Sequence, residues 1–208
     1  MNKKLIEYIE DNIIPIYRKM DAAHRPNHVR RVIKHAMEIA ADFDVNQELV
    51  YVIAAYHDIG MQFGRENHHL TGGEYLENDL FLNSIFSKDT IKTMKQAIED
   101  HRASNDIPPR SIYGKIIAEA DRDIHPDIVL KRTVQFGLNH HPELSFDAHF
   151  ERVYHHIKEK YGPQGYLKLW LKTKRNQDGL KMIHKLLEND LKMKDKIKLI
   201  FDRENSKK

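Results

Sequence analysis

The chain has 208 residues, 34 Lys and Arg against 31 Asp and Glu, and no cysteine, so it can form a core of substantial size but has neither a disulfide framework nor a thiolate metal site. A formal charge of +3 is too small to point to nucleic acid as a partner. No run of about 18 apolar residues offers a membrane span, and the start "MNKKLIEYIEDNII" has acidic residues and no small-residue cleavage site, so a soluble cytoplasmic protein is expected.

Apolar residues recur at three- and four-residue spacing and nowhere alternate over strand length, which predicts an all-α fold. Leu5, Ile6, Ile9 and Ile13 mark a first helix that should end or kink at Pro15. Pro26 suits the first turn of a second, with Val29, Val32, Ile33, Ala36 and Ile39 as its buried stripe. Asn46 can cap a third that runs through Val50, Ile53 and Ala54 to His57 and stops at Gly60. Ser87 can cap a helix carrying Ile91, Met94 and Ile98 toward His101, and Ile112, Ile116, Ile117 and Ala120 form the stripe that leads to Asp121.

Beyond Asp123, one helix is expected through Phe150, Val153 and Ile157 to Gly162, another through Leu167, Trp170 and Leu171, and a last one with Ile183, Leu187, Leu191, Ile197 and Phe201 on one face. The lysines of that last helix read as a solvated face, and His140, His141, His155 and His156 as surface residues. With no repeat, low-complexity tract or Pro/Gly/Ser linker, the expectation is a single-domain helical bundle over 1–208. Its motif-bearing core covers about 21–123 and a helical extension about 124–208.

The polar residues of interest stand where apolar periodicity begins or stops. His28 falls in a first helical turn, whereas His57, Asp58, His101 and Asp121 fall at helix ends, which a bundle can bring to one mouth. Adjacent residues in a continuous helix point about 100° apart, so His57 and Asp58 share a ligand most readily where the helix ends.

The ordered segments "HRPNHVRRV", "AAYHDIG", "ENHHLTGGEYL", "EDHRAS" and "KIIAEADRD" resemble the HD superfamily of metal-dependent phosphohydrolases, specifically its small stand-alone bacterial members, from Asp21 to Asp123. The resemblance implies one divalent metal held by His28, His57, Asp58 and Asp121. Two imidazoles and two carboxylates suit Mn, Fe, Co, Ni, Zn or Mg, and Glu119 and Asp123 lie close enough to Asp121 to raise a question of register. Asp58 could also orient the attacking water, with His24, His68, His69 or His101 protonating the leaving group. A second metal on His68, His69 and His101 is the alternative use of those residues. Arg25, Arg31, Arg65, Arg102, Lys115 and Arg122 are the cations near the motifs that could bind phosphate.

The implied activity is hydrolysis of a phosphate ester or anhydride in a nucleotide or related small metabolite. Release of pyrophosphate from a nucleoside triphosphate, a non-catalytic nucleotide-sensing module and a two-iron oxidase are the rivals. Past Asp123 the chain departs from the small relatives, with "DRDIHPDIVLKRTVQFG" in place of a longer run of aspartate and glycine.

Overall fold

The structure, a computed structural model, describes residues 1–21, 24–102 and 107–206, and every regular element among them is helical. The elements gather into two compact units, Met1–Arg122 and Asp123–Lys208.

In the first unit, α1 (Lys3–Tyr8) starts at Asn2, whose side chain accepts the Lys4 N–H. The chain then widens into a π turn over Ile9–Ile13 and tightens into a 3-10 run over Ile14–Lys19. Pro15 accounts for the shift, because it has no N–H to donate and its ring collides with a carbonyl four residues back. The backbone N–H of Ile14 accordingly reaches Ile9, five residues back.

Helix α2 (Pro26–Ala40) has Pro26 in its first turn and buries His28, Val29, Val32, Ala36 and Ala40. Ile33 and Ile39, expected in that stripe, sit half-buried on its flanks. Helix α3 (Gln47–Tyr56) is capped by Asn46 and buried from Leu49 to Tyr56, the pattern of a helix enclosed by others. It packs against α2, α6 (Lys88–Glu99) and α7 (Ile112–Asp121).

Gly60 has a different role from the helix stop expected. Helix α3 already ends at His57, and Gly60 lies in the following 3-10 turn, Ile59–Phe63. There a Cβ would fall 1.9 Å from the His68 carbonyl oxygen and 2.6 Å from the Gly72 nitrogen. Its missing side chain lets α4 (His68–Glu77) cross the turn at backbone contact. The turn closes at Gly64, whose φ of 118° suits glycine. Helix α5 (Leu80–Ile85) follows, and Asp79, Ser87 and Ser111 cap α5, α6 and α7 with their side chains.

The second unit holds α8 (Pro126–His140), α9 (Phe146–Tyr161), α10 (Lys174–Leu187) and α11 (Asp190–Asn205). Its core includes Val129, Leu130, Val134, Val153, Ile157, Ile183, Met193 and Ile197. Here the sequence expectations need three corrections. Helix α8 was not anticipated. The helix expected through Leu167 and Leu171 is absent, because the chain after Gly162 folds back, with Tyr166 N–H on the Glu159 carbonyl and Leu167 N–H on that of Lys160. The expected last helix is two, divided where Asn189 caps α11, and Leu191 is exposed rather than on the buried face.

Candidate metal centre

Three helices and the turn after α3 supply one cluster of donors. His28 comes from the first turn of α2, His57 from the residue that closes α3, Asp58 from the residue after it, and Asp121 from the last position of α7. Their ligand atoms all lie within 4.8 Å of one another. His28 Nε2 is 3.3 Å from Asp58 Oδ2 and 3.2 Å from Asp121 Oδ1, and His57 Nε2 is 3.1 Å from Asp58 Oδ2. On the other side of the same carboxylate, Asp58 Oδ1 lies 3.5 Å from His68 Nε2 and 3.4 Å from His101 Nε2. Asp58, His68 and His101 form a second group that meets the same spacing.

The helix ends also set the state of the rings. Three histidines bond carbonyls three residues back, two of them in the last turn of a helix and one, that of Arg65, in the turn before α4. His57 Nδ1–H donates to Ala54 at 2.8 Å, His101 Nδ1–H to Ile98 at 2.6 Å and His68 Nδ1–H to Arg65 at 2.7 Å. A carbonyl can only accept, so in the neutral rings Nε2 carries the lone pair, and it faces the cluster. His68 and His101 Nε2 stand 3.3 Å apart, as do those of His28 and His57. The lone pairs of His68 and His101 repel at that distance unless a proton or cation lies between them, and with Asp58 and Asp121 beside His28 and His57 the donor set fits a divalent ion held by nitrogen and oxygen.

Burial is the largest influence on each of these groups, and the partners outweigh it in several. It pushes the His28 pKa down, but Asp121 and Asp58 raise it to about 9. Burial would raise Asp58 and Asp121, yet His57, His101 and His28 hold Asp58 well below the usual carboxylate range, and His28 and His57 hold Asp121 below it. His101 is raised by Asp58 and Asp121 against its burial, whereas burial and the neighbouring His101 lower His68. Burial, then Arg102, lowers His69 to about 4, so its ring is neutral near pH 7. The Nδ1 of His69 is buried without a hydrogen-bond partner among the described residues.

His24 stands at the edge of the cluster, with Nδ1 2.8 Å from Asp21 Oδ1 and Nε2 3.9 Å from Asp58 Oδ2. Among the cations, Arg31 reaches a cluster residue, its Nη2 3.5 Å from His28 Nδ1. Arg122 is buried and ion-paired with the buried Glu119, so Asp121 is the carboxylate of that helix end in the cluster. Arg25 and Arg65 are exposed and Lys115 is half-buried on α7. Arg102 donates to the Glu66 carbonyl. Ala103 and Ser104, which close the "EDHRAS" segment, lie outside the described residues.

Two features, one at the site and one away from it, are not apparent from the sequence. One is the i−3 carbonyl beneath each histidine, which the position of His57 and His101 at helix ends could have suggested. The other is Asp79, a buried carboxylate whose Oδ2 accepts from the hydroxyls of Tyr8 and Tyr56, each at 2.7 Å, while Oδ1 caps α5.

A family model described as HD domain matches residues 25–124. The crystal structure of a predicted HD superfamily hydrolase from an uncultured Thermotogales bacterium is similar to this chain, with a TM-score of 0.51 and 28% identity, over 65% of this chain and 82% of that one. No curated protein matches the chain.

Proposed function

Because residues 25–124 of this chain are an HD domain, we propose that the protein is a metal-dependent phosphohydrolase that acts on a small phosphorylated substrate, a nucleotide or related metabolite. The observation that carries this reading is the convergence of His28, His57, Asp58 and Asp121 on one centre, with the His57 lone pair and two carboxylates turned inward. A divalent ion held there would supply Lewis-acid chemistry, polarising a phosphoryl oxygen and making water nucleophilic near neutral pH.

The residues around that centre divide the remaining work. Asp58 stays ionised and can accept a hydrogen bond from the attacking water. His24, its Nδ1–H held by Asp21, presents Nε2 toward Asp58 and can carry a proton between water and leaving group. Arg31, beside His28, is the cation placed to meet a phosphoryl oxygen. His69, neutral near pH 7, fits a hydrogen bond to substrate better than proton donation.

One observation favours a second reading of the metal content. Asp58 offers Oδ2 to His28 and His57 and Oδ1 to His68 and His101, the arrangement of a carboxylate shared by two ions. Metal analysis of the purified protein and of a combined His68→Ala, His101→Ala variant separates the two. A fall from two ions per chain to one supports the shared carboxylate, and one ion in both supports the single centre.

Activity is tested by screening nucleotide mono-, di- and triphosphates with Mn²⁺, Mg²⁺, Co²⁺ and Ni²⁺ and identifying the products. Phosphate release supports a phosphatase, and pyrophosphate release a triphosphate diphosphohydrolase. Tight metal-dependent nucleotide binding with no turnover under any metal would replace the enzyme with a sensing module.

A further inference from the structure

The C-terminal unit contains a cavity of about 460 Å³ between α8 and α9, within the range typical of small-molecule sites, roughly 300–1,000 Å³. Helix α9 turns Arg152, His156 and Lys160 toward it, spaced at i, i+4 and i+8, and α8 adds Arg132 and Phe136. Asp123 is the carboxylate in the lining, and its Oδ1 is 3.7 Å from Arg175.

Arg152 is held in place without being neutralised. Its Nη2 donates to the Thr133 carbonyl, and its guanidinium carbon lies 5.9 Å from the centre of the Phe136 ring. Gly137 makes room for it, since a Cβ there would lie 2.2 Å from Nη2. The buried Nε–H has no hydrogen-bond partner among the described residues. Burial holds the guanidinium below the usual arginine range. Burial, with Lys160 and Arg152 beside it, also lowers His156. A half-buried arginine with an unused donor, next to further cations and an aromatic face, fits an anion better than it fits solvent.

We propose that this cavity is a second ligand site, for a phosphate monoester that carries a planar ring. Its phosphoryl oxygens meet Arg152, Arg132 and Lys160 supply flanking positive charge, and the ring lies against the exposed edge of Phe136, one face of which is stacked on His140 with 4.0 Å between ring centres. Every lining residue belongs to the C-terminal unit, so the site owes nothing to the cluster around Asp58.

Phenylphosphonate, which has a ring and a phosphoryl dianion but no ester to hydrolyse, is the probe. Calorimetric titration of the full chain should show binding that weakens with salt, with benzylamine as a cationic control that does not bind. Arg152→Gln should weaken the probe by about tenfold or more, the loss of a charge-assisted contact, and Arg132→Gln by less. Asp58→Ala should leave this binding intact. The site is refuted if the full chain does not bind the probe, if both arginine variants bind it as well as the parent, or if Asp58→Ala abolishes binding, which would locate the probe at the metal centre. Should Arg152→Gln fail to fold, the exposed Arg132→Gln decides on the same criteria.

Discussion

His57 makes one hydrogen bond that limits what it can do: its Nδ1–H is committed to the Ala54 carbonyl, which leaves Nε2 for the centre. His101 and His68 are committed in the same way, so the donor geometry is set by backbone carbonyls. Asp58 is the residue common to both groups of donors. Asp58→Ala should therefore lower metal affinity more than about hundredfold, beyond the range for losing a partner of a ligand, and abolish turnover while helicity persists. Metal analysis and circular dichroism check this, and near-normal metal content would overturn the assignment. His28 adds a pH dependence. Its folded pKa of about 9 lies above the unfolded value of roughly 6.5. In chelated protein its contribution to stability is thus full below about 6.5 and lost as pH rises through about 9. Ligation needs the neutral ring, so apparent metal affinity should rise over that same window and then level off. Competition titration against a chelator of known affinity measures it, and an affinity flat across the window would remove His28 from the ligand set.

At the scale of elements, Asp79 ties α1, α3 and α5 together by accepting from Tyr8 and Tyr56 and capping Leu82. Asp79→Ala removes a cap, worth about 1 kcal/mol, and strands two hydroxyls, so urea unfolding should show a loss of about 2–4 kcal/mol. A loss under about 0.5 kcal/mol, the usual range of a surface substitution, would show that these bonds carry no stability. Gly60→Ala should also destabilise, since the new methyl meets backbone rather than a movable side chain, by roughly 1–3 kcal/mol for overpacking. The same variant should displace His68 and weaken its contact with Asp58. Helices α2, α3, α6 and α7 are legible because their apolar stripes agree with their first-turn residues, as at Asn46 and Ser87. Those beyond Asp123 are less so, for local reasons. Helix α8 buries Thr133 and Gly137 among its apolar residues, which interrupts the stripe that would announce it. Leu187 and Leu191 keep a helical spacing across the break at Asn189, so periodicity alone joins α10 to α11. At the site, the grouping of His28, His57, Asp58 and Asp121 is readable from their order and their helix ends, and the structure brings those side chains together. The sharing of Asp58 is not readable, because it depends on which way each carboxylate oxygen faces.

On the scale of the whole molecule, the two units have separate sets of buried residues, and the donors of the candidate metal centre all lie in Met1–Arg122. A ligand that binds only the folded state stabilises what it binds, by about 2.7 kcal/mol at a hundred times its dissociation constant. For a unit of this size that corresponds to an upward shift of on the order of 10 °C. The chain has a single tryptophan, Trp170, and it lies in Asp123–Lys208. Its fluorescence therefore reports the second unit, while circular dichroism reports helices of both. If the two cores unfold separately, chelation should lower the melting of a fraction of the dichroism signal by about that amount and leave the Trp170 transition where it was. Asp58→Ala should melt like the chelated parent by both probes. A Trp170 midpoint that moves with metal in step with the dichroism would mean that the two units unfold as one cooperative block, and the assignment of metal stabilisation to the first unit alone would fail.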